Sequence, residues 1–375
     1  MADKSKIEWT EATWNPIVGC SVVSPGCTNC YAMKQAHRIQ AMTHAGGKKS
    51  HYDGTTQLTK GGPVWTGKVT LAPDRKFMEP LRWSKPRTIF VNSMGDLFHE
   101  DVPDEWIDRA FAIMALCPQH TFQVLTKRAD RMRTYLSELR GSRSIYDACF
   151  KVSGLIHPKD HYHDARCGAR ALGLLRSENP LPNVWLGVSA EDQKRADERI
   201  PHLLQTPAAA RFISAEPLLG PLDLQRISLG KSEATFYGHP EIKYAAFFMD
   251  ALRGVNSGAI PALDWIIVGG ESGPNARPMH PDWARSIRDQ CQAADVPFFF
   301  KQWGVWRPVN DCEPQDPRRY SSTLNPVVLL APDGVRHDTW QAAGNGARLM
   351  RLVGKASAGR RLDGREHNEM PEVRP

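Results

Sequence analysis

Cys20, Cys27 and Cys30 stand in the segment Trp14-Asn-Pro-Ile-Val-Gly-Cys20-Ser-Val-Val-Ser-Pro-Gly-Cys27-Thr-Asn-Cys30-Tyr31, a C-x6-C-x2-C spacing. Pro25 and Gly26 supply a turn that folds Cys27 back toward Cys20. Cys30 precedes Tyr31-Ala-Met-Lys-Gln-Ala-His-Arg-Ile39, which reads as a helix. A thiolate at a helix N-terminus is stabilised by the unpaired amides there. Three ligands are the informative number, because a structural zinc site normally closes with four. A 4Fe–4S cluster on three protein thiolates keeps one iron open. S-adenosylmethionine can chelate that iron through its amino and carboxyl groups. An electron from an external donor then cleaves the sulfonium and yields a carbon radical. Two other readings stay open: a zinc site completed from afar, and three cysteines that are simply buried.

The remaining cysteines, 117, 149, 167, 291 and 312, are scattered. A secreted disulfide scaffold would be shorter and denser in cysteine, so the cluster reads as a metal or redox site in an intracellular protein. No run approaches the ~18 apolar residues of a membrane span. The start, Met-Ala-Asp-Lys-Ser-Lys-Ile-Glu, lacks the apolar core of a signal peptide. The expectation is a cytoplasmic protein without a membrane partner. Lysine plus arginine is 48 against 41 acids, a net charge of +7. That excess admits an anionic partner such as nucleic acid without demanding one. Protein partners leave no mark in the sequence.

The elements that must position these cysteines are short apolar runs ending in polar residues or glycine. A first run closes at Val18 and enters the cysteine loop. Further runs are Thr88–Val91, Thr121–Leu125, Asn183–Val188, Arg211–Ile213, Asp264–Val268 and Pro297–Phe300. Runs of this kind suit strands buried on both faces, as parallel sheets require. Helical spacing lies between several of them. Trp106, Ala110, Phe111 and Met114 follow Pro103, and Trp283, Ile287 and Cys291 follow Pro281. Alternating strands and helices predict an α/β fold, a partial or complete parallel β/α barrel. An open doubly wound sheet is the alternative, but no Gly-rich dinucleotide fingerprint follows a strand. The barrel is expected over residues 1–310, with insertions at about 141–182 and 225–262. Residues 311–375 form a basic C-terminal extension, in which Arg348, Arg351 and Lys355 would share one helix face.

The long motifs resemble the radical S-adenosylmethionine superfamily, and within it a phage-associated three-cysteine-motif family. The likeness lies at Trp14-Asn-Pro with Gly-Cys20, at Cys27-x-x-Cys30-Tyr-Ala32 and at Val91-Asn-Ser-Met-Gly-Asp-Leu-Phe-His99. It continues at Leu125-Thr-Lys-Arg128, Trp185-Leu-Gly-Val-Ser189, Ala215-Glu-Pro-Leu-Leu-Gly220 and Gly269-Gly-Glu-Ser-Gly273. Phe300-Lys-Gln-Trp-Gly304 and Gly359-Arg-Arg-Leu-Asp-Gly364 complete it. The superfamily's usual spacing is C-x3-C-x2-C with an aromatic residue before the last cysteine. Here the first gap has six residues, Asn29 precedes Cys30, and Tyr31 follows it.

The resemblance implies a 4Fe–4S cluster on Cys20, Cys27 and Cys30, S-adenosylmethionine as second cofactor, and a bacterial host cytoplasm. It also suggests roles at the strand ends. Ser93 and Asp96 would hold the methionine amino group, and Ser189 and Glu191 the ribose hydroxyls. Gly269 and Gly270 would let backbone approach adenine or carboxylate closely. Ser214, Glu216 and Glu271 would face the same end. For each residue the plainer reading is a strand-end cap or a salt bridge.

Weaker signals remain. Cys149, His157, His161, His163 and Cys167 could bind zinc, though their spacing matches no tight finger. Lys127, Arg128, Arg131 and Arg133 could track phosphates or form a solvated helix face. Trp303 and Trp306 could stack a base or plug the barrel. The function expected is a radical enzyme that modifies or repairs a base in DNA or another nucleic acid. Its rivals are a non-catalytic, zinc-stabilised nucleic-acid-binding module and an iron–sulfur electron carrier.

Overall fold

A computed structural model describes residues 5, 7–138, 147–149, 151–152, 180–233, 244–254, 260–309, 313, 316–320 and 326–372. Seven strands form one parallel sheet: β1 (Ala12–Trp14), β2 (Thr88–Val91), β3 (Thr121–Thr126), β4 (Val184–Ser189), β5 (Ala210–Ala215), β6 (Trp265–Gly269) and β7 (Phe298–Gln302). They lie side by side in chain order, with helices in the connections. This is the expected α/β class, a partial parallel β/α barrel. Every residue of β4 and of β6 is buried, so the unbroken apolar runs mark strands covered on both faces.

The chain divides into two compact units. The first holds residues 1–188, with 206–211 and 373–375. It contains α1 (Tyr31–Ala45), α2 (Asp104–Leu116) and α3 (Ala129–Glu138). Trp14 at the end of β1 is fully buried between the edges of Phe77 and Phe122, and its indole donates to the Phe77 carbonyl at 3.0 Å. α2 buries Ala110, Phe111 and Met114 of the stripe read from the sequence, while Trp106, its first member, is half-buried and Ile107 beside it is buried instead. The first sheet strand ends at Trp14, earlier than expected. Ile17–Val18 instead pairs antiparallel with Thr70–Leu71. The intervening Pro16 has no amide hydrogen to continue a parallel ladder.

The second unit holds residues 189–205 and 212–372. It contains α4 (Gln193–Leu204) and α5 (Pro281–Ala294). Asp192 caps α4 by accepting from the Arg195 amide at 2.8 Å. α5 starts with Pro281 at its first position and buries Trp283, Ile287 and Cys291. The second expected insertion carries an antiparallel hairpin, Ile227–Glu233 with Tyr244–Met249. Most of the first lies outside the described residues, as do His157, His161, His163 and Cys167. Beyond β7 a four-stranded antiparallel sheet forms, ordered 306–308, 348–352, 327–330, 336–337. Arg348 and Arg351 therefore lie on a strand and not on a helix face. Three residues apart on a strand, they project to opposite sides. The cause is tertiary: Arg348–Leu352 finds ladder partners on both edges, opposite Val327–Leu330 and Trp306–Pro308.

Candidate metal and cofactor sites

The cysteine loop of the first unit is anchored by glycine. Gly19 sits at φ +94°, and a Cβ there would lie 2.1 Å from the Lys68 carbonyl oxygen. Its amide donates to the Met94 carbonyl at 3.1 Å, and a Cβ on Gly95 would press on the Ile17 and Gly19 carbonyls. Only a backbone without Cβ lets these two loops close on each other. The loop then makes a single 3-10 turn over Pro25–Cys27, where the Cys27 amide donates to Ser24, and Cys30 caps α1. The expected turn at Pro25-Gly26 and the expected helix after Cys30 are both present.

Around Cys20 the chain builds a charged network that sequence reasoning missed. Arg128 donates from Nη1 to Cys20 Sγ at 3.6 Å and to Asp96 Oδ2 at 2.9 Å. Its Nη2 donates to Ser21 Oγ at 2.7 Å, and its Nε to Glu100 Oε2 at 2.6 Å. His99 is fully buried. Its Nδ1 accepts from the Asp101 amide at 3.1 Å, so Nε2 carries the proton and donates to Ser21 Oγ at 2.9 Å. Ser21 in turn donates to Glu100 Oε1 at 3.0 Å. One hydroxyl thus accepts two hydrogen bonds and gives one, its full capacity. The signal was in the sequence: Arg128 and His99 close two of the quoted motifs, but only their convergence gives them a role.

Asp96 is buried, and its carboxylate accepts from Thr126 Oγ1 (2.7 Å), the Phe98 and Lys127 amides, and Arg128. Ser93 donates to Asn15 Oδ1 at 3.1 Å, and Tyr31 donates to the Ser93 carbonyl at 2.9 Å. Asn92, at φ +59°, is buried, and its Nδ2 has no hydrogen-bond partner among the described residues. Arg131 of the expected basic patch donates to the Val102 carbonyl and Asp104.

Burial pushes the Cys20 thiol up to about 12, with Asp96 adding to the rise and Arg128 opposing it. Burial also raises Cys30, against the pull of the Ala32 and Met33 amides at the start of α1. Burial lowers His99, and Arg128 lowers it further. Among the described residues no three His, Cys, Asp or Glu side chains already converge as a metal requires; to share one ion or cluster the three thiols would have to turn. The donor set itself suits a soft, thiolate-bound metal. The Arg128 guanidinium, which donates to Cys20 Sγ, would offset the charge of thiolates held there.

The second unit gathers the other sequence candidates at the C-terminal ends of its strands. Ser214 on β5 donates to Glu216 Oε2 at 3.3 Å, and Lys301 on β7 lies 3.2 Å from Glu216 Oε1. Lys301 was not among the expected site residues, although it stands in a quoted motif. A Cβ on Gly269 would sit 2.3 Å from Glu216 Oε1, and one on Gly270 would sit 2.1 Å from the Trp303 carbonyl. The close approach these glycines permit is therefore taken by the protein's own Glu216 and Trp303. Glu191 is fully buried and pairs with Arg199 at 2.9 Å, and Arg199 also donates to the Ser189 carbonyl. Glu271 is buried beneath Arg277, which donates to it from the backbone amide and from the guanidinium. Trp303 and Trp306 are buried, with their indoles donating to the carbonyls of Arg361 and Ala276. Both indole N–H groups are thus spent on backbone carbonyls.

An α/β chain with a three-cysteine loop and polar strand ends is the class of protein defined so far. The chain belongs to a family described as protein of unknown function, DUF5131, which matches residues 4–371. No curated protein and no solved structure matches it. No helix among the described residues is long and apolar enough to cross a membrane.

Proposed function

We propose that this protein is a radical S-adenosylmethionine enzyme that holds a 4Fe–4S cluster on Cys20, Cys27 and Cys30. Its substrate would be a base in nucleic acid, DNA foremost, and its electron donor external. The observation that carries the reading is the anchored cysteine loop with the Arg128 guanidinium donating to Cys20 Sγ. When bound, the cluster and S-adenosylmethionine supply a carbon radical.

The chain's own residues do the holding. Asp96 and Glu100 fix Arg128 from two sides, so the guanidinium reaches Cys20 with little freedom left to lose. Asp96 is a positioning residue, since its oxygens already accept four hydrogen bonds. In the second unit Lys301 offers a donor and Glu216 an acceptor to a polar ligand group, and Ser214 orients Glu216. Glu191 and Glu271 stiffen their strand ends through Arg199 and Arg277.

A second reading has an observation of its own. Asp96, Glu191 and Glu271 are all engaged with arginines, as a non-catalytic, zinc-stabilised binding module would have them. One experiment separates the two. The protein is purified without oxygen, reconstituted with iron and sulfide, and reduced, and its paramagnetic resonance is recorded with and without S-adenosylmethionine. A cluster signal that shifts on addition is expected. Cys27→Ala should lose the iron, while Cys117→Ala, whose thiol is fully buried at the end of α2, should keep it. Stoichiometric zinc in place of iron, or equal iron in the two variants, sinks the radical reading.

A further inference from the structure

The Gly359-Arg-Arg-Leu-Asp-Gly364 motif has no part in either site described above. In the structure it builds one wall of a cleft of about 720 Å³ in the second unit. Leu362 is fully buried, and Asp363 (φ +51°) and Gly364 (φ +82°) form a tight turn bridged between Leu362 and Arg365. Two successive positive φ values suit Asp-Gly. The turn holds Asp363 against α5, where it accepts from Arg285 Nη2 at 2.8 Å and from Arg288 Nη1. On the other side the Arg361 carbonyl accepts from the buried Trp303 indole at 2.9 Å. The backbone that carries Arg361 is thus fixed at both ends, while its side chain is exposed.

The rest of the lining is basic and aromatic. Arg285, Arg307 and Arg348 share the wall, and Trp340, also in the lining, is 40% exposed. Each of the three has a carboxylate partner, Arg285 two of them in Asp282 and Asp363, but the partners are shared, Asp363 with Arg288. Asp282 serves both Arg285 and Arg348, and Glu313 serves both Arg307 and Arg351. Arg361 has no ion pair among the described residues, so positive charge is in excess. The volume falls in the usual range for a small-ligand site. Arginines beside an exposed tryptophan are the elements that bind a single strand: guanidinium to phosphate, indole to base.

We infer that this cleft binds single-stranded nucleic acid, with a phosphate on Arg361 and a base stacked on Trp340. The inference rests on the nucleic-acid part of the function proposed above and not on the cluster. The test is anisotropy of a short fluorescent oligodeoxythymidylate with the full chain, metal-free and reconstituted, across a salt series. Trp340→Ala should weaken binding about tenfold. Arg361→Ala should weaken it several-fold and flatten the salt slope by about 0.7, one phosphate's worth on a single strand. Trp340→Phe and Arg361→Lys should recover most of the loss, which a folding defect would not allow. Arg318→Ala, an exposed arginine outside the cleft, should change nothing. Binding by the wild type that both cleft variants retain in full would overturn this site and leave a nucleic-acid substrate standing. No binding by the wild type would overturn both. Equal binding by metal-free and reconstituted protein is expected, so the result does not depend on the cluster.

Discussion

Replacing Arg128 by alanine should unsettle the first unit more than any other surface-near charge change. The Arg128 and Asp96 side chains are only 9% and 7% exposed, and their atoms approach to 2.9 Å. Removing one partner of such a pair leaves an uncompensated buried charge, at a cost of about 3–5 kcal/mol. Asp96 keeps its bonds from Thr126, Phe98 and Lys127, which places the loss at the lower end. Glu100 is 59% exposed, so its bond to Arg128 adds at most about 1 kcal/mol. A loss of about 3 kcal/mol corresponds to a fall in Tm of about 6–12 °C for a unit of this size. Scanning calorimetry reads it directly. Asp96→Asn in the Arg128→Ala background should cost less than the sum of the two single changes, because no buried charge is then stranded. A pH series adds a second readout. Burial tends to raise the Glu100 carboxyl, but the hydrogen bond and charge of Arg128 outweigh it and hold the group at about 2, below its ordinary 4.5. That stabilisation is present above about 4.5 and is lost as pH falls toward 2. The acid limb should therefore flatten in Arg128→Ala. A Tm shift below about 3 °C, together with an unchanged acid limb, would refute the buried-network account.

Three further outcomes are expected. Gly269→Ala meets only the far end of the Glu216 side chain, so it should fold with little loss while displacing Glu216 from Lys301. Gly270→Ala meets the Trp303 backbone and should cost several kcal/mol; equal urea midpoints for the two variants would contradict the geometry. His99, His120, His280 and His367 are all lowered from 6.5, with burial the first cause in each. Neutral in the folded state, they take up protons first on unfolding, so stability should be full above about 6.5 and decline as pH drops below it. A Tm that stays flat from neutral pH to about 5 would count against this. Gly19→Ala should lower iron retention after reconstitution, because a Cβ there strikes the Lys68 carbonyl and opens the cysteine loop. Retention equal to wild type would show that the loop closes some other way.

Local chemistry made much of this protein legible from its sequence. Apolar runs bounded by polar residues are enough to mark strands buried on both faces, and six of the sheet strands lie where those runs lie. Pro281 followed by Trp283, Ile287 and Cys291 marks a helix and its buried face without any tertiary information. The turn at Pro25-Gly26 and the helix after Cys30 follow from backbone preference alone. What tertiary structure decided is where charges end up. Arg128 reads as one of a basic patch because its partners Asp96, Glu100, Ser21 and Cys20 lie 28 to 108 residues away along the chain. Arg348 and Arg351 have helical spacing, yet ladder partners on both edges make their segment a strand. Gly269 and Gly270 do permit a close approach, but only packing determined that Glu216 and Trp303 make it. Hydrophobic period and turn preference act between residues a few positions apart and are written in the sequence. Ion pairs, ladder edges and steric gaps act through space, and they exist only once the chain has brought distant residues together.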